Sequence, residues 1–188
     1  MKILIVSNLK EIAQNTAQPA VVCCADSSVL RPGEPLFLDD DYPAWQSVIA
    51  PAVRIGRLGL HVGEKFAGSY IDAHTLFHVR VPHATDHCWY ISDRLFSPGK
   101  WLDGNFSGSE SVRVGVSAIG AQAKLQTFSL DIDSDDVCKA VSAISRYATI
   151  KTGDILVFFP PGLADDFKRN TELEAYLDDT QVLRLKIK

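Results

Sequence analysis

The sequence lacks any long hydrophobic segment and any cluster of basic residues. Lys and Arg total 19 against 23 Asp and Glu, which gives a formal net charge of -4. Binding to nucleic acid or to a membrane surface needs clustered positive charge. No apolar run approaches the roughly 20 residues that span a bilayer. We therefore predict no nucleic-acid partner and no membrane partner, and we interpret the short apolar run near the start as a first strand rather than a signal peptide.

Cysteine is also scarce, and its spacing excludes the common cysteine motifs. The four cysteines are Cys23, Cys24, Cys88 and Cys138, and no two of them form a CxxC pair. Neighbouring residues of a strand point to opposite faces, so Cys23 and Cys24 should face opposite ways. Nothing here resembles the disulfide framework of a small secreted protein. We expect reduced, mostly buried thiols in a cytoplasmic protein.

The hydrophobic patterning predicts a single domain over residues 1–188 that is α+β but mostly β. The length allows one well-packed core. Apolar and β-branched runs predict strands over 3–6, 20–25, 36–38, 45–55, 75–81, 111–116, 124–132, 155–159 and 182–188. Helical spacing predicts helices over 9–14, 64–67 and 135–147, the last capped by Ser134 or Asp135. Pro51 lacks a backbone donor, so its strand needs an edge or a bulge at that point.

Several segments, in order along the chain, resemble the fumarylacetoacetate hydrolase family. Residues 143–156 (AISRYATIKTGDIL) are similar to the helix, Gly-Asp turn and strand of that family, and residues 99–103 (GKWLD) to its Gly-Lys segment. Residues 26–35 and 52–67 resemble segments further upstream. The resemblance implies a twisted mixed β-roll of the type found in the family's C-terminal domain, usually assembled as a homodimer. It also implies Mg²⁺ or Mn²⁺ chemistry on a 1,3-diketone or a 2-oxo acid, by hydrolysis, decarboxylation or isomerisation.

The same resemblance predicts that the metal site has been lost. The family holds its cation with a Glu-x-Glu pair and an Asp, and these positions fall on Val48, Ala50 and Val79. The family's catalytic His should lie near Ile12, where the chain has no His. A dication needs oxygen ligands, and an apolar pocket would leave its desolvation uncompensated. We therefore expect no metal cofactor.

Three positions keep a link to the family's catalytic and substrate-binding groups. Lys100 and Asp103 match residues of the family's catalytic set, in which the Lys polarises a substrate oxygen. Pro161 falls in the family's Thr-Pro substrate loop. Taken without the resemblance, Lys100 is an exposed loop charge, and Asp103 caps the turn at Gly104.

Two other groups of residues have the chemistry of metal ligands. His83, His87 and Cys88 are suitable zinc ligands, although loop histidines are commonly only solvated. The acidic run at 39–41 could attract a cation, although such runs usually only solvate a loop. Three hypotheses follow from the sequence. The chain is a catalytically degenerate homologue (a pseudoenzyme) with a structural or small-ligand role, a divergent hydrolase, decarboxylase or isomerase, or a non-catalytic binder of an acidic metabolite with Lys100 as anchor.

Overall fold

The computed structural model describes residues 1–38, 45–82, 94–130, 132–159, 164–166 and 168–188. Within these residues the chain forms twelve strands and three α-helices. The strands are β1 (Ile3–Val6), β2 (Val21–Cys24), β3 (Trp45–Ile55), β4 (Ile71–Pro82), β5 (Phe96–Pro98), β6 (Leu102–Asp103), β7 (Ser111–Ala118), β8 (Gln126–Ser129), β9 (Ile155–Phe158), β10 (Ala164–Asp166), β11 (Thr171–Leu177) and β12 (Thr180–Ile187). The helices are α1 (Leu9–Ala13), α2 (Glu64–Ala67) and α3 (Ser134–Ser145). The predicted mostly-β class is confirmed.

The larger sheet is mixed and curls until its ends meet. Its strand order is β2-β1-β9-β3-β4-β5, with β10 beside β3 and β6 beside β4. Strands β1 and β9 run parallel, and the other neighbours are antiparallel. The segment that follows β2 then reaches the opposite edge, where the Leu30 amide donates to the Phe96 carbonyl at 2.7 Å and Val29 forms a bridge with Phe96. One face of the sheet is therefore turned inward, as in a roll.

The long strand β3 changes its partner at Pro51. On one side it pairs with β4 along its whole length, with Pro51 opposite Leu76. On the other side it pairs with β10 at residues 46–48 and with β9 at residues 52–54. Pro51 lies between these two partners, where its missing N–H breaks no ladder. The predicted edge at this proline is confirmed within the described residues.

The outer face of the roll packs against a second sheet and the helices. This sheet is antiparallel, in the order β12-β11-β7-β8, and shares one apolar core with α1 and α3. The N-cap predicted for α3 is wrong, because the Asp133 carboxylate accepts from the Asp136 amide at 2.8 Å and neither Ser134 nor Asp135 takes that role. A carboxylate before the first turn satisfies a helix amide that has no partner within the helix.

The structure differs from the prediction at two strands and in the burial of one cysteine. Residues 36–38 form a bridge between Leu36 and Ile187, with the Leu36 and Leu38 amides donating to the Lys186 and Lys188 carbonyls, but no strand of their own. The strand predicted over 124–132 is limited to β8, where the ladder with β7 ends. Cys24 is buried while Cys23 is exposed, which confirms their opposite faces but not two buried thiols. Among the described residues, no helix has the length and apolar character to cross a membrane.

Candidate functional site

The inward face of the roll holds a compact group of apolar side chains, which we call the interior cluster. It is separate from the larger core under the second sheet. Because every member is buried, the inward face is packed by the protein itself in this part of the chain. The members are Ile3, Ile5, Cys24, Val48, Ala50, Ala52, Phe77, Val79, Leu95, Phe96, Ile155 and Val157.

The three positions assigned to the family's metal ligands come together inside this cluster. Val48 lies directly opposite Val79 in the β3–β4 ladder, and Ala50 lies opposite Phe77. Residues two apart on a strand share a face, so Val48 and Ala50 point the same way, toward the same space as Val79. All three are almost completely buried. The sequence prediction that these positions converge is consistent with this register.

The residues present in this space do not fit a divalent cation. None of the three side chains carries an oxygen, and in the described part of the chain no group of three His, Cys, Asp or Glu residues is placed to hold a metal ion. A hard cation such as Mg²⁺ or Mn²⁺ needs several oxygen ligands. Without them the cost of desolvating the ion has no compensation.

Aromatic rings fill the space beside these three positions. The Phe77 ring contacts Phe96, with centroids 6.4 Å apart, and Trp101, with centroids 5.8 Å apart in an edge-to-face arrangement. The Arg54 guanidinium lies 5.2 Å from the Trp101 ring centroid and is held by Asp72, with Nε to Oδ1 at 2.9 Å. Tilted and edge-to-face contacts are the favourable geometries for aromatic packing. The interior therefore has the packing of a hydrophobic core.

Lys100 has a fixed backbone and a solvent-exposed side chain. Its amide donates to the Val182 carbonyl, and its carbonyl accepts from the Thr75 hydroxyl at 2.7 Å. The preceding Gly99 lies so close to β4 that a Cβ there would fall 2.7 Å from the Leu76 carbonyl oxygen, so only glycine fits. The glycine of the Gly-Lys pair is thus required by the close approach of its backbone to β4. The ammonium group remains available to an anion from solvent.

Of the other residues with a predicted catalytic, substrate-binding or zinc-binding role, Asp103 lies in the described part of the chain. Asp103 is exposed and pairs with Ala73 at the edge of the sheet. The Gly104 amide beside it donates to the Asp72 carbonyl at 2.9 Å, and the turn-capping role of Asp103 stays a prediction. Pro161, the zinc candidates His83, His87 and Cys88, and the acidic run at 39–41 all lie outside the described residues.

A buried polar group on the opposite face of β4 escaped the sequence analysis. The two-residue period of a strand places His78 and Arg80 on the face of Leu76, but that period gives no sign that this face is also buried. His78 is fully buried, with Nδ1 3.3 Å from the Ser97 hydroxyl. Burial, helped by the positive charge of Arg80, lowers the pKa of His78 to about 3. His78 is therefore neutral at neutral pH, and we assign it a structural role.

This buried imidazole predicts a loss of stability in mild acid. The unfolded chain takes up a proton at His78 near pH 6.5, but the folded protein does so only near pH 3, so acid favours the unfolded state throughout that window. Between pH 7 and pH 5 we expect His78 alone to remove about 2 kcal/mol from the free energy of unfolding. Urea denaturation of the His78→Gln variant at several pH values should give a free energy of unfolding that lacks this part of the pH dependence.

The exposed His61 provides the control for that experiment. His61→Gln makes the same substitution at an exposed position, so it shows the effect of replacing a histidine by glutamine without removing a buried imidazole. A His78→Gln variant with an unchanged pH profile would contradict a neutral, buried His78.

Comparison with known proteins identifies the fold. No protein-family model matches the sequence, and comparison with curated proteins gives no match. The chain is similar to solved structures over almost its whole length. One is 5-carboxymethyl-2-hydroxymuconate delta-isomerase from Mycobacterium smegmatis, at 18% identity and a TM-score of 0.78, covering 99% of this chain and 78% of that one.

Two further similar structures are described as a hydrolase or as a member of a hydrolase family. Fumarylpyruvate hydrolase from Pseudomonas aeruginosa, solved with Mn²⁺ and pyruvate, has 13% identity and a TM-score of 0.78, over 100% of this chain and 89% of that one. A Yersinia pestis CO92 protein assigned to the fumarylacetoacetate hydrolase family has 14% identity and a TM-score of 0.76, over 100% and 93%. The protein is thus a mixed β-roll like those of the similar structures. It has the fumarylacetoacetate hydrolase fold, which confirms the sequence resemblance at that level.

Proposed function

We propose that this chain is a catalytically degenerate protein of the fumarylacetoacetate hydrolase fold, with a structural or small-ligand-binding role. The observation that supports the proposal is the interior cluster. Val48, Ala50 and Val79 take the three positions that the sequence resemblance assigns to metal ligands, and they lie together on one buried apolar face. With that space closed by Phe77, neither a cation nor a substrate oxygen has a polar partner among the described residues of the cluster.

Cation binding tests the proposal directly. The purified protein, treated with a chelator, should show no binding of Mn²⁺ or Mg²⁺ by isothermal titration calorimetry and no change in melting temperature with either ion, because no oxygen ligand lies near Val48, Ala50 and Val79. Stoichiometric binding of Mn²⁺ at micromolar affinity would reject the proposal.

Zinc needs a separate titration, because its candidate ligands differ. Binding of Zn²⁺ that is lost in His83→Ala and His87→Ala would support the zinc hypothesis for His83, His87 and Cys88. Such a result would place a metal in the protein without placing one in the interior cluster. An absence of zinc binding would remove that hypothesis.

A divergent enzyme is the second candidate, and it is favoured by the names of similar structures. One is an isomerase, and another is a hydrolase solved with Mn²⁺ and pyruvate. For this chain, Lys100 is the group that could polarise a substrate oxygen, since its backbone is fixed and its ammonium faces solvent. Turnover of 2-oxo acids or 1,3-diketones that Lys100→Ala abolishes, and that Lys124→Ala at another exposed position leaves intact, would favour this candidate.

The same pair of variants tests a non-catalytic binder of an acidic metabolite. In that case pyruvate or a related acid should raise the melting temperature of the protein and of Lys124→Ala, but not that of Lys100→Ala, and no product should form. A homodimer and a cytoplasmic location remain predictions from the sequence. Sedimentation analysis of the purified chain would test the former.

A further inference from the structure

An open cleft of about 710 Å³ lies where the roll closes on itself. Besides Met1, its walls come from two segments far apart in the sequence, residues 26–34 after β2 and Arg94 just before β5. Between them runs the seam of the roll, the bridge between Val29 and Phe96 with the hydrogen bond from the Leu30 amide. The cleft is thus distinct from the interior cluster, against which its lining residue Val29 packs. Its volume is in the range of small-molecule sites.

Four charged side chains line this cleft, two of each sign. They are Arg31 and Arg94, and Asp26 and Glu34. None of the four has a side-chain hydrogen bond or an ion pair with another residue in the part of the chain that the structure describes. All four are exposed, so each is open to a ligand from solvent. The cleft therefore presents cationic donors and anionic acceptors that the protein itself leaves unused.

This balance of charges selects the kind of ligand. A simple anion would pair with the arginines but would also lie beside two carboxylates, and a simple cation would meet the reverse problem. A ligand with both a carboxylate and an ammonium group can place each charge beside its opposite. Guanidinium groups bind carboxylates through paired, charge-assisted hydrogen bonds, and carboxylates accept readily from ammonium groups. We propose that the cleft binds a free amino acid, with its carboxylate at Arg31 and Arg94 and its ammonium at Asp26 and Glu34.

Binding at this place would also hold the roll closed. Among the described residues, the two walls are joined by the bridge between Val29 and Phe96, which includes the hydrogen bond from the Leu30 amide to the Phe96 carbonyl at 2.7 Å. A ligand that contacts Arg31 on one wall and Arg94 on the other crosses this seam. It therefore favours the closed arrangement by its own binding free energy. Slower hydrogen exchange at the Leu30 amide is the expected local sign.

The test is a thermal-melting screen with each standard amino acid at millimolar concentration. The affinity of the amino acid that raises the melting temperature most is then measured by isothermal titration calorimetry. We expect at least one to raise the melting temperature by about 2 °C. Its deaminated 2-oxo acid and its decarboxylated amine, which each lack one charge, should bind at least roughly tenfold more weakly. Inorganic phosphate, an anion without an ammonium group, should bind no better than they do.

Variants in the cleft separate specific binding from general charge effects. The affinity for the amino acid should fall by roughly tenfold in each of Arg31→Gln, Arg94→Gln and Asp26→Asn. Arg57→Gln, at an exposed arginine outside the cleft, should leave the affinity unchanged. The proposal is overturned if no amino acid raises the melting temperature, if the 2-oxo acid or phosphate binds as tightly as the amino acid, or if the cleft variants bind normally. It does not depend on the function proposed above, because neither a metal nor the interior cluster takes part.

Discussion

Phe77→Ala is expected to lower the free energy of unfolding by about 3–5 kcal/mol, the usual cost of removing a buried aromatic side chain. The Phe77 side chain is completely buried on the inward face of β4. It contacts the rings of Phe96 and Trp101 and lies opposite Ala50 in the ladder. Truncation would remove both aromatic contacts and leave a cavity that small neighbours such as Ala50 cannot fill. Urea denaturation monitored by circular dichroism would measure the change.

Phe66→Ala is the matched control. Phe66 is 57% exposed on α2, so its truncation should change the free energy of unfolding by no more than about 0.5 kcal/mol. A loss below about 1 kcal/mol for Phe77→Ala would mean that the interior already holds free space beside this ring, since a cavity adds to the cost of truncation only in a closely packed site. That outcome would favour a ligand-binding interior over a packed core.

Local patterning along the sequence predicted the part of the fold that depends on near neighbours. The apolar, β-branched run predicted β3 with its observed bounds, and the missing N–H of Pro51 predicted an edge or a bulge in its middle, where the structure has the change of partner. The strand predicted over 75–81 has a two-residue period that puts Leu76 and Phe77 on opposite faces, as the two cores have them. These features follow from the two-residue period of a strand and from the chemistry of one residue. Local sequence contains that information.

The features that were missed depend on contacts between distant segments. His78 lies on a face that alternation marks as polar, yet packing against the second core buries it completely. Lys100 is held by groups from β4 and β12, so its fixed backbone could not be derived from the Gly-Lys motif alone. The cleft at the seam joins Arg31 to Arg94 only because the sheet curls. The burial of His78, the fixed backbone of Lys100 and the cleft all depend on contacts between strands far apart in the sequence. A single sequence contains no direct information about those contacts.

The ordinary physics of a core also explains why the loss of metal ligands that we propose can be stable. A cluster of carboxylates is costly to bury unless a cation neutralises it, whereas Val48 and Val79, paired across a ladder, gain free energy from burial with no partner required. Once the carboxylates are absent, the space beside them can be filled by rings such as Phe77. Restoring one acid would then face a packed apolar environment. The arrangement is therefore expected to be hard to reverse by one substitution.

Ala50→Glu measures that barrier, and we expect it to cost at least about 3 kcal/mol of folding free energy at neutral pH. Ala50 is completely buried, with Phe77 as its cross-strand partner, so the new side chain has neither room nor a hydrogen-bond donor within the interior cluster. Its carboxyl group must stay protonated or force the sheet open. Stability should therefore be lost more severely as the pH rises, because the unfolded state ionises freely. Urea denaturation across a pH series would measure both effects.

Ala121→Glu, at an exposed turn position, adds the same side chain where water can solvate it, and it should be nearly neutral. The difference in folding free energy between the two variants gives the cost of burying the glutamate, separate from the cost of replacing an alanine. Millimolar Mn²⁺ should not restore the stability of Ala50→Glu, since one carboxylate among apolar neighbours supplies too few oxygen ligands. If Mn²⁺ did restore it, the linkage between binding and folding would require a metal site in the interior. The packed core inferred from Val48, Ala50 and Val79 would then be wrong.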